Sequence, residues 1–182
     1  MREELSQSSA LQRSLAWALR AALIGAITGP LIALLALLIN KATAIRVANP
    51  WLIFTIPLGG VVTTYLFLTL GPHLQEGTIR IMSVINRSGK EREAEPAYTE
   101  YVADPERRVS TKLAPLLYLT SFITHLVGAS GGKEGVGVQI GSSLGSYIGE
   151  AENRIRGRSF SVEHQGIYLI AGAASGFAAL FN

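Results

Sequence analysis

The sequence predicts an all-α, polytopic membrane protein whose helices break inside the bilayer. Three observations carry this. Of the 182 residues, 48% are hydrophobic and only 16% are charged, against a charged share of about 25% in ordinary soluble domains. The charges fall in clusters with long charge-free stretches between them. The chain also holds 19 glycines, and glycine is more frequent in membrane helices than in soluble ones. Sixteen Lys+Arg against 13 Asp+Glu, a formal +3, is too even and too scattered for a nucleic-acid-binding face. With no cysteine, a thiolate nucleophile, a disulfide scaffold and cysteine-ligated metal sites are excluded. No metal or cofactor site and no enzymatic activity are expected.

Residues 1–20 read as a short amphipathic lead-in at the membrane interface, with Leu11, Leu15, Trp17 and Leu19 among Arg13 and Arg20. Glu3 and Glu4 precede an apolar run that is too long for a signal-peptide core. Residues 21–40 carry no charge, and about 20 residues at ~1.5 Å rise cross a ~30 Å hydrocarbon layer. Residues 47–72 form a second stretch, containing Pro57 and the pair Gly59 and Gly60. Residues 80–112 are the long polar region, with Arg80, Arg87, Lys90, Arg92, Arg107, Arg108 and Lys112. Lys/Arg counts set orientation, so this loop is expected in the cytoplasm together with the N-terminus and its Arg2, Arg13 and Arg20. Lys41 and Arg46 in the first outer loop run against this, as do Arg154, Arg156 and Arg158 before the last stretch. Residues 113–132 are a further charge-free stretch, broken only by His125. Residues 135–149 are short and Gly-rich, and 166–182 carry no charge and run to the end of the sequence while still in an apolar stretch. The membrane domain is thus placed at 21–182, with the cytoplasmic loop at about 80–112. Trp17, Trp51 and Tyr147 read as interfacial anchors, His73 and His164 as interfacial, His125 as packed or water-bonded, and Ser142, Ser143 and Ser146 as close-packing residues.

The chemistry concentrates in residues 128–145, GASGGKEGVGVQIGSSLG. Lys133 and Glu134 lie between two apolar stretches, and ionisable groups at membrane depth are costly and by default functional. The surrounding glycines predict a break, with one helix ending near Ala129 and another starting near Val136. Irregular backbone is tolerated in a bilayer only when packed in protein or lining a watery cavity. A helix that begins there points free N–H groups and its positive dipole end at the break. The amides of 134–137 are then expected to form a nest for an anion. The Glu134 carboxylate can occupy the same nest and leaves it on protonation, which makes it both gate and proton carrier. A nucleotide-binding P-loop does not fit: Gly128 and Gly132 are one residue too close, and Glu134 stands where a magnesium-binding hydroxyl is needed. A Gly-rich packing contact with a Lys133–Glu134 ion pair is the alternative on physical grounds.

GGKEGVGVQIG resembles the GREGP-x-VQIG motif of the CLC chloride channels and proton-coupled exchangers. GAASGFAALFN (172–182) resembles that family's GAAAG-x-AAAFN segment. The resemblance implies the N-terminal half of an inverted-repeat membrane fold in a prokaryotic inner membrane. It implies a homodimer that carries chloride, with fluoride as the family-internal alternative, and protons, as a channel or an antiporter. It assigns Glu134 as the gating and proton-transfer residue, with Lys133, Gly135, Val136 and Gly137 at the anion. The motif's proline is Val136 here, at a first-turn position that can do without it. For the family's first motif, GSGIP, the nearest match is 75–79, with Glu76, Gly77 and Thr78 as candidates. Only the glycine is kept, and Glu76 falls at the serine whose hydroxyl contacts the anion. Since the family's pore forms between two halves, this chain alone is expected not to transport. From a different class, a non-transporting membrane scaffold would keep the glycine packing without needing a carboxylate at Glu134.

Overall fold

The structure, a computed structural model, describes residues 2–70, 77–90, 109–110, 112–156 and 162–181. Among these, every regular element is helical. The helices are α1 (Arg2–Ala48), α2 (Ile56–Leu70), α3 (Gly77–Lys90), α4 (Leu113–Val127), α5 (Lys133–Arg156) and α6 (Val162–Ala178), with a 3-10 turn at Pro50–Thr55 before α2. Pro50 suits the turn's first position, where no helical N–H is needed. The expected interfacial lead-in and the first apolar stretch are one helix, which runs on through Pro30.

α1 shows why these helices belong in lipid. Ile24, Thr28, Ile32, Leu35, Ile39 and Ala42 are buried, at the three- and four-residue spacing of a single stripe. Leu23, Ile27, Leu34 and Leu37, elsewhere around the helix, are just as apolar but exposed. A helix apolar on all sides needs a solvent that is itself apolar. Two helical stretches, Leu11–Ala48 and Pro50–Leu70, are long and apolar enough to cross a membrane, and Leu113–Val127 is a shorter apolar helix.

The α5–α6 pair is the most extensive contact. Gly137, Gly141, Gly145 and Gly149 recur every four residues along one face of α5, opposite Tyr168, Gly172 and Gly176 of α6. A Cβ on Gly141 would overlap the Gly172 carbonyl, and one on Gly172 would overlap the Gly141 carbonyl. Gly145 meets the Tyr168 carbonyl and Gly176 the Gly137 carbonyl in the same way. Two antiparallel backbones therefore touch directly, the small-residue packing that lets membrane helices associate without a hydrophobic driving force. Ser142, Ser143 and Ser146 are buried in this helix. Ser143 Oγ donates to the Ser110 carbonyl at 2.9 Å, and Ser146 accepts from Gln165 Nε2 at 2.8 Å. α1 packs on α4 and α6, α2 on α4, and α3 on α5 and α6. The core gathers Ile32, Leu35, Ile81, Leu113, Leu116, Leu117, Ile140 and Leu169.

Polar contacts establish which helix ends share a side. Arg20 Nη2 meets Glu152 Oε1 at 2.8 Å, Arg156 Nε meets the same oxygen at 2.9 Å, and the Tyr168 hydroxyl donates to Glu152 Oε2. Trp17 stacks on His164 at 5.5 Å between centroids, and the Arg20 guanidinium lies 4.9 Å from the Trp17 ring centroid. The early part of α1, the end of α5 and the start of α6 are thus on one side. Arg154 and Arg156 join Arg13 and Arg20 there, so they support a common side for these charges instead of opposing it; Arg158 lies outside the described residues. The Arg20 hydrogen bond holds the Glu152 carboxyl at about 2, below its ordinary 4.5, against desolvation and with help from Tyr168. A depressed carboxylate stabilises the fold fully above about pH 4.5 and loses that contribution as the pH falls towards 2.

The glycine contact yields a prediction with an internal control. Gly141→Ala forces a methyl onto backbone and is expected to cost about 1–3 kcal/mol, the overpacking range. Gly60→Ala meets nothing within 4 Å and is expected to be neutral or slightly stabilising, since alanine is the better helix former. Thermal unfolding of both variants in detergent micelles checks the difference.

Candidate functional site

The break between α4 and α5 is built by glycine. Gly128 ends α4 in the left-handed region at φ +92°, with its N–H bonded to the Thr124 carbonyl, as glycine past a helix end commonly does. The Ala129 N–H bonds the same carbonyl at 3.0 Å. Arg46 of α1 packs against Gly128, where a Cβ would stand 2.9 Å from Arg46 Cδ. The end of α1 and the end of α4 therefore share the side opposite Arg20. Residues 129–132 are non-helical, and α5 starts at Lys133.

That start lies three residues before the expected Val136. The free first-turn amides are those of Lys133, Glu134 and Gly135, while the N–H groups of Val136 and Gly137 turn back into the helix. Gly137 is a packing residue, pressed against Leu180 and the Gly176 carbonyl. Val136 is partly buried against the core. Lys133 and Glu134 are both exposed, and among the described residues neither takes part in an ion pair. Successive helical residues do not face each other, so the ion-paired packing contact does not form.

A second helix start meets the first. α3 begins at Gly77 with φ +52°, a conformation that suits glycine. Thr78 follows it, and Gln139 Nε2 donates to Thr78 Oγ1 at 3.2 Å. A Cβ on Gly77 would stand 3.3 Å from Gln139 Nε2, and one on Gly135 would stand 3.8 Å from Thr78 Oγ1. Glu76 lies outside the described residues, as do His73 and residues 91–108. The structure thus brings together Gly77, Thr78, Gly135 and Gln139. Because Gln139 donates to the threonine oxygen, the Thr78 hydroxyl proton is left to point elsewhere and donate. Two helix N-termini and a hydroxyl donor favour negative charge at this point. Sequence reasoning treated Gln139 only as a continuation of the motif. Its spacing of four from Gly135 places both on one face of α5, a signal that was available.

Beside the start of α5 lies a cleft of about 420 Å³. α2 lines it with Thr63 and Thr64, α4 with Thr120, Ser121, Thr124 and His125, and the break with Gly131 and Gly132. His125 is half-buried, with Nδ1 2.8 Å from the Ser121 carbonyl. Among the described residues no group of three His, Asp or Glu is close enough to hold a metal ion.

The family model described as "Voltage gated chloride channel" matches residues 77–182, starting at the first residue of α3. The "Chloride/fluoride channel protein" of Pseudomonas syringae pv. tomato is 27% identical over 166 residues, covering 91% of this chain and 32% of that protein. A crystal structure of "a CLC-type fluoride/proton antiporter" is similar, with a TM-score of 0.70 and 26% identity over 92% of this chain and 36% of that one. The chain spans about a third of the length of these relatives.

The Gln139–Thr78 contact predicts two graded outcomes for anion affinity in a full-length protein. Gln139→Leu removes one hydrogen bond and is expected to weaken anion binding about fivefold (~1 kcal/mol). Gln139→Glu introduces an acceptor that takes the Thr78 hydroxyl proton and adds a negative charge, so it weakens binding further. Calorimetric halide titration of the detergent-solubilised variants checks the order.

Proposed function

The chain belongs to the voltage-gated chloride channel family, and we propose that it supplies one half of a CLC-type anion pathway in which Glu134 is gate and proton carrier. The observation that carries this reading is the meeting of the α3 and α5 starts through Gln139 and Thr78, beside an exposed Glu134. The cargo is a small halide, moved through a channel or in exchange for protons. The sequence motif alone points to chloride. Fluoride stands in the names of both relatives above and is the second reading. In this reading Lys133 raises the local anion concentration at the mouth. The amides of Lys133, Glu134 and Gly135 take the anion or, in its absence, the Glu134 carboxylate.

The membrane is a prokaryotic inner membrane, with the side bearing Arg13, Arg20 and Arg156 in the cytoplasm. That assignment follows the enrichment of Lys and Arg on cytoplasmic flanks. A homodimer is part of the proposal, and the exposed Ile167, Ile170 and Phe177 on α6 offer an apolar face for it. A scaffold without transport is the rival, but such a protein has no need of a glutamine-held hydroxyl between two helix starts.

The test is a pH series of anion flux and coupled proton movement in proteoliposomes of full-length protein, run with chloride and with fluoride. Glu134→Gln mimics the protonated gate and Glu134→Ala leaves its place open. Both are expected to carry anion with no pH dependence and no coupled proton movement. Lys133→Ala changes anion affinity and leaves the gate intact. Normal pH dependence and coupling in Glu134→Gln would remove the gate assignment, and absence of halide flux in the wild type would favour the scaffold.

A further inference from the structure

A groove of about 290 Å³ lies between α1 and α6, on the side that carries Arg20. Ala21 and Ile24 of α1 and Ile167 and Ala171 of α6 form its apolar walls, and Trp17, Arg20 and Tyr168 stand at its mouth. Arg20 is the last charge before the charge-free stretch 21–40. The mouth therefore lies at the membrane surface and the walls lie in the hydrocarbon. Ile24 is about one turn further in, roughly 6 Å at ~1.5 Å per residue. Ala18, Ala21 and Ile167 are exposed, so the groove is open on one side, and in a membrane that side meets lipid.

The mouth is positively charged. Arg20 Nε donates to both Glu152 oxygens at 3.1 and 3.0 Å, and Nη2 donates to Oε1 at 2.8 Å. Arg156 Nε lies 2.9 Å from that same Oε1. Two guanidiniums thus share one carboxylate, and the three side chains carry a formal +1. Around them Arg13 and Arg154 offset Glu150 and Glu163 in number, which leaves that charge standing. The Arg156 side chain is 58% exposed, so its Nη groups are open to a second anion. Trp17, stacked on His164 and under the Arg20 guanidinium, is the amphipathic ring expected at head-group level.

We propose that this groove holds an anionic phospholipid, with its phosphate at Arg156 and Arg20 and the start of an acyl chain between α1 and α6. Basic pockets between membrane helices recognise anionic head groups in this way. The occupant has to be anionic at the surface and apolar below it. A soluble phosphate leaves the apolar walls unfilled. A second copy seated on the α6 face, which includes Ile167, would have to cover the net charge of Arg20, Arg156 and Glu152 without an anion of its own. A bound lipid ties α1 to α6 where Arg20 already ties α1 to α5. The proposal is independent of the role given to Glu134.

The experiment is native mass spectrometry of the full-length protein released from detergent micelles, with dioleoyl phosphatidylglycerol or dioleoyl phosphatidylcholine added. The two lipids share their chains and differ in head-group charge. Phosphatidylglycerol is expected to bind about fivefold more tightly, the effect of one net positive charge near an anionic head group. Arg156→Gln brings the three-residue cluster to zero and is expected to remove most of that preference. Glu152→Gln raises the cluster to a formal +2 and is expected to strengthen phosphatidylglycerol binding about fivefold, whereas a purely structural cluster would lose binding in both variants. Ala21→Trp fills the groove from an exposed position and is expected to weaken both lipids. Glycerol phosphate, a head group without chains, is expected not to compete. Equal retention of the two lipids by the wild type overturns the proposal. So does competition by glycerol phosphate, which marks a soluble-phosphate site, or undiminished phosphatidylglycerol binding in Ala21→Trp. Loss of a dimer in place of lipid in Ala21→Trp overturns it in favour of a second copy. If Ala21→Trp does not fold, the opposite signs expected for Arg156→Gln and Glu152→Gln decide, and a change of the same sign in both overturns it.

Discussion

Everything at the site depends on the direct backbone contact between α5 and α6. Gly137, Gly141 and Gly145 lie flat against Gly172, Gly176 and the Tyr168 carbonyl, which leaves α5 no freedom to rotate or slide. With 3.6 residues per turn, Gly135 and Gln139 lie on roughly the opposite side of the helix from Gly137. The stripe that fastens α5 to α6 therefore also aims Gln139 at Thr78 and the free first-turn amides at the gap beside α3. A larger residue in the stripe would move the site with the helix.

On the α3 side, helix starts and the Thr78 hydroxyl present donors and partial positive charge. On the α2–α4 side, threonine and histidine protons are turned back onto carbonyls, so lone pairs face the cleft. Glu134 sits at the start of α5, exposed and outside any ion pair among the described residues. Far from this point, Arg20, Glu152 and Tyr168 hold the early part of α1 against α5 and α6.

Much of the fold was legible from where charges are missing. Among the described residues, most of the stretches at 21–40, 47–72, 113–132 and 166–182 is helix, because lipid-facing helices cannot hide charge; the third stretch ends in the break after Val127 and the last helix stops at Ala178. The short stretch at 135–149 belongs to a 24-residue helix whose last turns are charged. The break was placed correctly in kind but with α5 starting three residues late. Gly137 was expected at the anion, whereas in the structure it packs against Leu180 and Gly176, as glycine in a membrane helix also does. Arg154 and Arg156 seemed to contradict the orientation until the Arg20–Glu152 pair, 132 residues apart in sequence, joined the helix ends. The Thr78–Gln139 contact spans 61 residues, a distance no local pattern reaches. Nor could hydroxyl direction in the cleft be read without the carbonyls it depends on.

The central claim is that the starts of α3 and α5 form one anion site. The most direct measurement is an experimental structure of the full-length protein with halide bound, locating the ion against Thr78 and the α5 start. The account predicts the ion within hydrogen-bond distance of the Thr78 hydroxyl or of the amides of Lys133, Glu134 and Gly135. An ion held instead among Thr120, Thr124 and His125 would contradict it.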